Sequence, residues 1–254
     1  MKVRLLGSGT SSGVPRIGND WGACDPADPR NRRTRASVLV WTTTTRILVD
    51  TSPDMREQLL AADVADIDAV IWTHDHADHC HGIDDLRQIM HLKGGPVRGL
   101  ARAFTLEQLG LRFAYAFYGR AGYDPTVEGE LLPDRVRIGD IDIRVADQPH
   151  GGITSAGLRF EHNGKSIGYA TDFHDMTSDM RALYAGLDLW IVDALREAPH
   201  PTHPDLASTL GWIGELRPKH AILAHMDQSM DYAILAARLP AGVEPGHDGL
   251  EVAL

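Results

Sequence analysis

Cysteine is scarce: Cys24 and Cys80 are the only two in 254 residues. Two thiols cannot build a disulfide framework, so nothing in the chain calls for an oxidising compartment. Basic residues are in deficit, with 25 Lys and Arg against 35 Asp and Glu and a formal net charge of −10. That balance argues against a broad nucleic-acid footprint, which needs cations gathered on one face. No apolar run approaches the length that crosses a bilayer. Met1–Gly7 gives way to a glycine-rich loop too early for a secretory leader. The expectation is a cytoplasmic protein with no membrane partner. Internal repeats, low-complexity tracts and linkers are also missing, so residues 1–254 read as a single domain.

What is present begins with short apolar strands. Val3-Arg4-Leu5-Leu6 runs into Gly7-Ser8-Gly9-Thr10-Ser11-Ser12-Gly13-Val14-Pro15. Those glycines do not have dinucleotide-fingerprint spacing, and no βαβ unit follows them. Ser37–Trp41 and Arg46–Asp50, separated by threonines, predict a hairpin. Ser52-Pro53 reads as the cap and first residue of a helix that buries Met55, Leu59 and Leu60. Ala69–Trp72 is a buried strand. A helix carrying Ile83, Leu86, Ile89 and Met90 at helical spacing stops at Gly94-Gly95-Pro96. In the second half Asp142–Val145, Leu158–Glu161, Ser166–Ala170, Leu189–Val192 and Ala221–Leu223 read as strands. Helices are expected near Asp205, ending before Pro218, and near Ser229. Antiparallel-looking strands with interspersed helices predict two sheets inside and helices outside, an α/β class.

Aromatic residues make up only 6% of the chain, yet five of the 16 fall between positions 113 and 123: Phe113, Tyr115, Phe117, Tyr118 and Tyr123. Two readings stand, a helix core with a packed loop or a wall over a substrate site.

Thirteen histidines are a high count, and their grouping carries the chemistry. His74-Asp75-His76-Ala77-Asp78-His79 follows directly on a buried strand. Metal donors must converge within a few ångströms, and a loop leaving a strand end allows this. His74 and His76, two positions apart, can turn toward one ion, and Asp78 and His79 toward a second. Imidazole with carboxylate suits zinc, manganese or iron. Further candidates also follow strands: His150, Asp172 and His225. Cys80, beside His79, reads as a buried small residue rather than a ligand. Arg30, Arg32, Arg33 and Arg35 form the one basic cluster. It is either a solvated loop or, through Arg33, a contact for a substrate phosphate.

In this order the motifs resemble the metallo-β-lactamase superfamily, an αββα sandwich with two central mixed sheets flanked by helices. The likeness runs from the Gly7–Pro15 loop to beyond His225. It implies one ion held by His74, His76 and His150, a second held by Asp78, His79 and His225, and Asp172 bridging them. Asp50, closing an early strand, matches an acidic position that supports a ligand without binding metal. Within the superfamily the chain is most similar to PhnP-type phosphoribosyl cyclic phosphate phosphodiesterases. Their catalytic histidine matches His203 in Ala194–His203. His200, three positions earlier, competes with it and is otherwise a substrate contact. Those enzymes can carry a structural zinc on clustered N-terminal cysteines. Here the region has only Cys24, so that zinc is not expected.

The resemblance implies a hydrolase with two divalent ions, acting on a small phosphodiester such as a phosphoribosyl cyclic phosphate. In it, Asp78 and Asp172 orient the nucleophile and His203 serves the leaving oxygen. A homodimer is a family expectation. A tRNase Z-like ribonuclease shares the metal motifs, but the RNA-gripping arm of those enzymes lies between the third histidine and the bridging aspartate. Here His150 and Asp172 stand 22 positions apart, leaving no room for it. The third reading is an accessory metal-binding protein, as in cofactor-biosynthesis branches of the superfamily.

Overall fold

The computed structural model describes residues 1–254. Its first sheet contains β1 (Lys2–Gly7), β2 (Ser37–Trp41), β3 (Arg46–Val49), β4 (Ala69–Ile71), β5 (Val97–Ala101), β6 (Val127–Leu131) and the C-terminal β14 (Glu251–Ala253). The second contains β7 (Arg135–Ile138), β8 (Ile141–His150), β9 (Ile153–His162), β10 (Lys165–Ala170), β11 (Leu189–Asp193), β12 (His220–Ala224) and β13 (Val243–Pro245). The strand orders are β14-β1-β2-β3-β4-β5-β6 and β13-β12-β11-β10-β9-β8-β7. The antiparallel expectation holds for only half of each sheet. From β3 to β6, and from β10 to β13, neighbours are parallel. Parallel neighbours need crossovers, and helices supply most of them.

The helices are α1 (Met55–Ala61), α2 (Ala77–Cys80), α3 (Leu86–Lys93), α4 (Ala103–Arg112), α5 (Ala114–Tyr118), α6 (Ser178–Tyr184), α7 (Leu206–Leu216) and α8 (Tyr232–Ala236). The longest is far short of a bilayer, and no helix is long and apolar enough to cross a membrane.

Alternation along the strands builds the layers. Val38, Val40, Ile47, Val49 and Ile71 point from the first sheet into a core shared with Ile143, Phe160, Ile191 and Ile222 of the second. Their neighbours Leu39, Leu48 and Val70 point outward, under Met55, Leu59, Leu86 and Ile89. On the far side Trp190, Val192 and Leu223 pack beneath Met180, Leu183 and Ile213. Apolar residues on both faces of a strand thus make a four-layer αββα sandwich.

Local expectations meet the structure unevenly. Asp205 caps α7 by accepting Ser208 N–H at 2.8 Å, and the helix stops at Arg217, in left-handed geometry before Pro218. Helix α1 starts later than Ser52-Pro53 implied. Ser52 is spent in a turn, accepting from Asp54 N–H and donating to Gln58 Oε1, and α1 begins at Met55. Leu60 lies on the solvent side at 61% exposure. The helix expected near Ser229 begins at Tyr232, because Asp231 supplies the cap, accepting Ile234 N–H at 3.0 Å. Ser229 instead closes a turn on Asp227.

Candidate metal centre

The candidate donors sit at one edge of the sandwich, where several strands of both sheets end. His74 to His79 follow β4, His150 ends β8, Asp172 follows β10 and His225 follows β12. Asp50, Asp172 and His225 have φ of 62°, 57° and 58°. Left-handed backbone at a non-glycine residue is costly and persists only where surrounding structure enforces it, most often at functional sites. Each of these turns follows a strand and helps aim a polar side chain toward the same point.

That point has two halves. His74, His76, His150 and Asp172 each offer a donor atom within 4.8 Å of the others, and so do Asp78, His79 and His225. The Asp172 carboxylate lies between them. Its Oδ1 is 3.7 Å from His74 Nε2 and 3.6 Å from His150 Nε2. Its Oδ2 is 3.1 Å from His79 Nε2 and 3.5 Å from His225 Nε2. Asp78 Oδ2 lies 3.3 Å from His79 Nε2 and 3.6 Å from His225 Nε2. His76 closes the first half, with Nδ1 3.2 Å from His150 Nε2.

Hydrogen bonds behind the imidazoles set their tautomers. His79 Nδ1 donates to Asp50 Oδ2 at 2.8 Å. His74 Nδ1 lies 3.0 Å from Thr73 Oγ1, which donates to Asp50 in turn. His150 Nδ1 donates to the Thr202 carbonyl at 3.0 Å. Protons held on Nδ1 leave the Nε2 lone pairs facing inward, the state a metal ligand needs.

The electrostatics agree. Burial alone would raise the Asp172 carboxyl, but His225, His79 and His74 outweigh it and hold it well below its usual range. Burial likewise opposes charge on His225, yet Asp172, Asp193 and Asp78 raise it to about 9. On His74 burial wins, helped by the His79 charge, and its basicity falls well below normal. This is a buried anionic cluster that draws positive charge to itself. The Nε2 atoms of His74, His79 and His225 are buried without hydrogen-bond partners. Orphaned polar atoms of this kind are rare and costly. Divalent cations would relieve both conditions, so the residues fit such ions.

His203 and His200 separate clearly. His203 Nδ1 donates to Asp193 Oδ2 at 2.9 Å, and its Nε2 points inward, 3.8 Å from Asp172 Oδ1. His200 stands behind it, ring centroids 5.2 Å apart, with Nδ1 accepting from Thr202 N–H at 3.3 Å. Sequence reasoning missed Asp193. Fully buried at the end of β11, it accepts both from His203 and from the backbone N–H of Asp172 at 3.0 Å. An aspartate closing an apolar strand, as Asp50 does, was the available signal.

Arg33 is a correction. It is 1% exposed, and its guanidinium donates to the carbonyls of Asp227 and Met230 at 3.1 and 2.6 Å. A side chain pinned there reaches no substrate. Val14 and Arg33 pair across a bridge, and that register turns the arginine inward. Its neighbours disperse: Arg30 pairs with Asp28 and lies over the Tyr232 ring, and Arg35 pairs with Asp54. Cys24 is buried against Arg33, with Sγ 3.7 Å from Nη1. Cys80 is fully buried, and burial, opposed by Arg112, pushes its thiol up to about 12. The aromatic segment divides. Phe117 enters the outer core, whereas Tyr115 and Tyr123 line a cleft of about 730 Å³ with Arg87 and Arg120.

Residues 45–226 match the Beta-lactamase superfamily domain. The chain belongs to the beta-lactamase superfamily. A crystal structure of a diphosphatase from the PhnP family superposes with a TM-score of 0.90 at 35% identity, covering 99% of this chain and 96% of that one. The chain has the metallo-β-lactamase fold and is similar to the PhnP family. An octanoyltransferase of Porphyromonas gingivalis is 31% identical over 260 residues, covering 99% of this chain. The chain spans only 51% of that relative's length. The Zn(2+)-bound PqqB of Methylobacterium extorquens shares the fold, with a TM-score of 0.81 at 20% identity over the whole of both chains.

Proposed function

We propose that this chain is a two-metal phosphodiesterase acting on a small phosphodiester, with a phosphoribosyl cyclic phosphate as the substrate its PhnP likeness favours. The observation that carries the reading is the Asp172 carboxylate, which offers one oxygen to His74 and His150 and the other to His79 and His225. In this reading His74, His76 and His150 would hold one ion and Asp78, His79 and His225 the other, with Asp172 available to both. Zinc and manganese suit the donors, and iron is compatible. Bound there, two divalent ions would supply an activated water and neutralise charge on the phosphoryl oxygens.

The chain's own residues do the rest. Asp50 and Thr73 orient the His79 and His74 rings. Asp78 and Asp172 direct the nucleophile. Asp193 fixes the His203 ring with Nε2 toward the site and offsets the imidazolium charge when both nitrogens are protonated. His203 Nε2 then donates a proton to the leaving alkoxide, a role worth about 10²- to 10⁴-fold. His200 borders His203 and contacts the organic part of the substrate.

The PhnP-family relative is described as a diphosphatase, which favours a second reading: the same groups cleaving a phosphoanhydride. A phosphate leaving group needs less help from a proton donor. Ribonuclease action is disfavoured because β8, β9 and β10 follow one another through short turns at 151–152 and 163–164, with no arm. An accessory role would leave the Asp193–His203 pair without a purpose.

The test is a panel of a cyclic ribose phosphate, a dinucleoside diphosphate and precursor tRNA, given to metal-loaded wild type, Asp172→Asn and His203→Gln. Cyclic phosphate turnover lost in both variants supports the reading. Full activity of Asp172→Asn, or turnover of none of the three substrates by wild type, would sink it.

A further inference from the structure

Asp75 lies between His74 and His76 of the strand-end loop yet joins none of the donor groups. Its carboxylate Oδ2 accepts from Arg112 Nη2 at 2.8 Å. Its carbonyl oxygen accepts from the other guanidinium nitrogen, Nη1. The same Nη1 is 3.6 Å from Cys80 Sγ, and the Cys80 thiol donates to that carbonyl at 3.4 Å. One guanidinium therefore grips the loop near both ends, and His76, Asp78 and His79 lie between the two grips.

Arg112 is foreign to the loop. It is the last residue of α4, on the outer layer of the sandwich. The next residue, Phe113, sets its ring edge-to-face against His81 at 5.6 Å. The outer arm thus touches the loop at two adjacent points. Asp75 is 8% exposed, so its carboxylate depends on a partner, and a buried carboxylate left alone is strongly destabilising. Arginine suits the task because its planar fork reaches a carboxylate and a carbonyl together, which a lysine ammonium cannot do at one geometry.

We propose that Arg112 is a positioning residue for the metal centre. Through Asp75 it holds the backbone from which His74 and His76 project, and so sets the affinity of the site for its ions from outside the donor set. The proposal rests on the two-metal reading above, but its readout is ion binding rather than turnover. Groups hydrogen-bonded directly to a ligand change metal affinity by about 10- to 100-fold when removed, and Arg112, which acts one residue further out through Asp75, falls at the lower end of that range.

The experiment measures Zn²⁺ and Mn²⁺ affinity by competition with a chromophoric chelator, with far-UV circular dichroism as the check on folding. The variants are Arg112→Met, Arg112→Lys, Asp75→Asn, the double variant Arg112→Met with Asp75→Asn, and Arg102→Met as the control. Arg102 immediately precedes the same helix and pairs with Asp134 and Asp147, away from the loop. The expected result is a loss of about 10-fold in Arg112→Met, partial recovery in Arg112→Lys, and wild-type affinity in Arg102→Met. The double variant should bind no worse than Arg112→Met, because both changes break one contact. If Arg112→Met destabilises the fold, Arg112→Lys and Asp75→Asn carry the comparison. Wild-type affinity in all the Arg112 and Asp75 variants would overturn the proposal while leaving the two-metal reading intact. Absence of ion binding by wild type would overturn both.

Discussion

Replacing Arg33 by methionine separates a structural arginine from a substrate-binding one. Methionine keeps an unbranched stem in the space that Arg33 fills at 1% exposure, so the change is chiefly polar. It strips the donors from the buried carbonyls of Asp227 and Met230, each worth about 1–3 kcal/mol when left unsatisfied. It also removes weaker contacts to Asn31 Oδ1 and Cys24 Sγ at 3.4 and 3.7 Å. Opposing this, burial disfavours the guanidinium charge, and Cys24, Asp248 and Asp231 offset that only in part. Relief of that cost trims the loss, and the net expectation is about 2–4 kcal/mol. At roughly 2–4 °C per kcal/mol for a chain of this size, Tm should fall by about 5–15 °C. Thermal and urea unfolding give the stability, and kinetics well below the transition give the function. Turnover per folded molecule should stay within about fivefold of wild type, because the side chain faces the 227–230 loop rather than the cleft. An unchanged Tm together with a tenfold rise in KM would refute the argument and restore Arg33 as a phosphate contact.

Asp193→Asn should depress kcat by about 10²- to 10⁴-fold on a substrate with an alkoxide leaving group, and much less on a p-nitrophenyl ester, whose phenolate leaves without a proton. Equal losses on both substrates would place Asp193 in support of Asp172 alone. Saturating divalent metal should stabilise the chelator-treated protein by about 4 kcal/mol per ion at a thousandfold excess over Kd, seen as a Tm rise of roughly 8–16 °C per ion; no shift would argue against a preformed site. Gly7→Ala should cost about 1–3 kcal/mol in urea unfolding, because a Cβ there would sit 2.0 Å from the Arg35 carbonyl oxygen and 2.5 Å from Gln58 Nε2. Wild-type stability would show that the two segments can part without penalty.

Local pattern carried much of the architecture. Apolar runs of four or five residues marked the interior strands, because a strand covered on both faces has no polar side. Helix ends were legible where one residue dominates, as at Asp205 and Gly94, and slipped by a few residues where a second capping residue lies nearby, as at Ser229 against Asp231. The parallel halves of the sheets were implied by the family resemblance, with its mixed sheets, and not by local pattern, since a buried strand has the same composition whichever way its neighbour runs. Leu60 was misplaced because a seven-residue helix has too few turns for its period to define a face.

The cluster at His74–His79 is a property of the sequence itself: six adjacent residues lie close together in any fold. His150, Asp172 and His225 could be nominated because each follows a strand. The tertiary structure decided what no spacing encodes. It set the left-handed turns at Asp50, Asp172 and His225, because backbone strain is held by neighbours distant in the chain. It gave each oxygen of Asp172 a different pair of imidazoles, put Asp193 behind His203, and brought Arg112 from an outer helix onto Asp75. It also turned Arg33 inward, since a charge run in sequence says nothing about which members face solvent. The donors are written locally, whereas the groups that aim them meet only when both sheets close on the same edge.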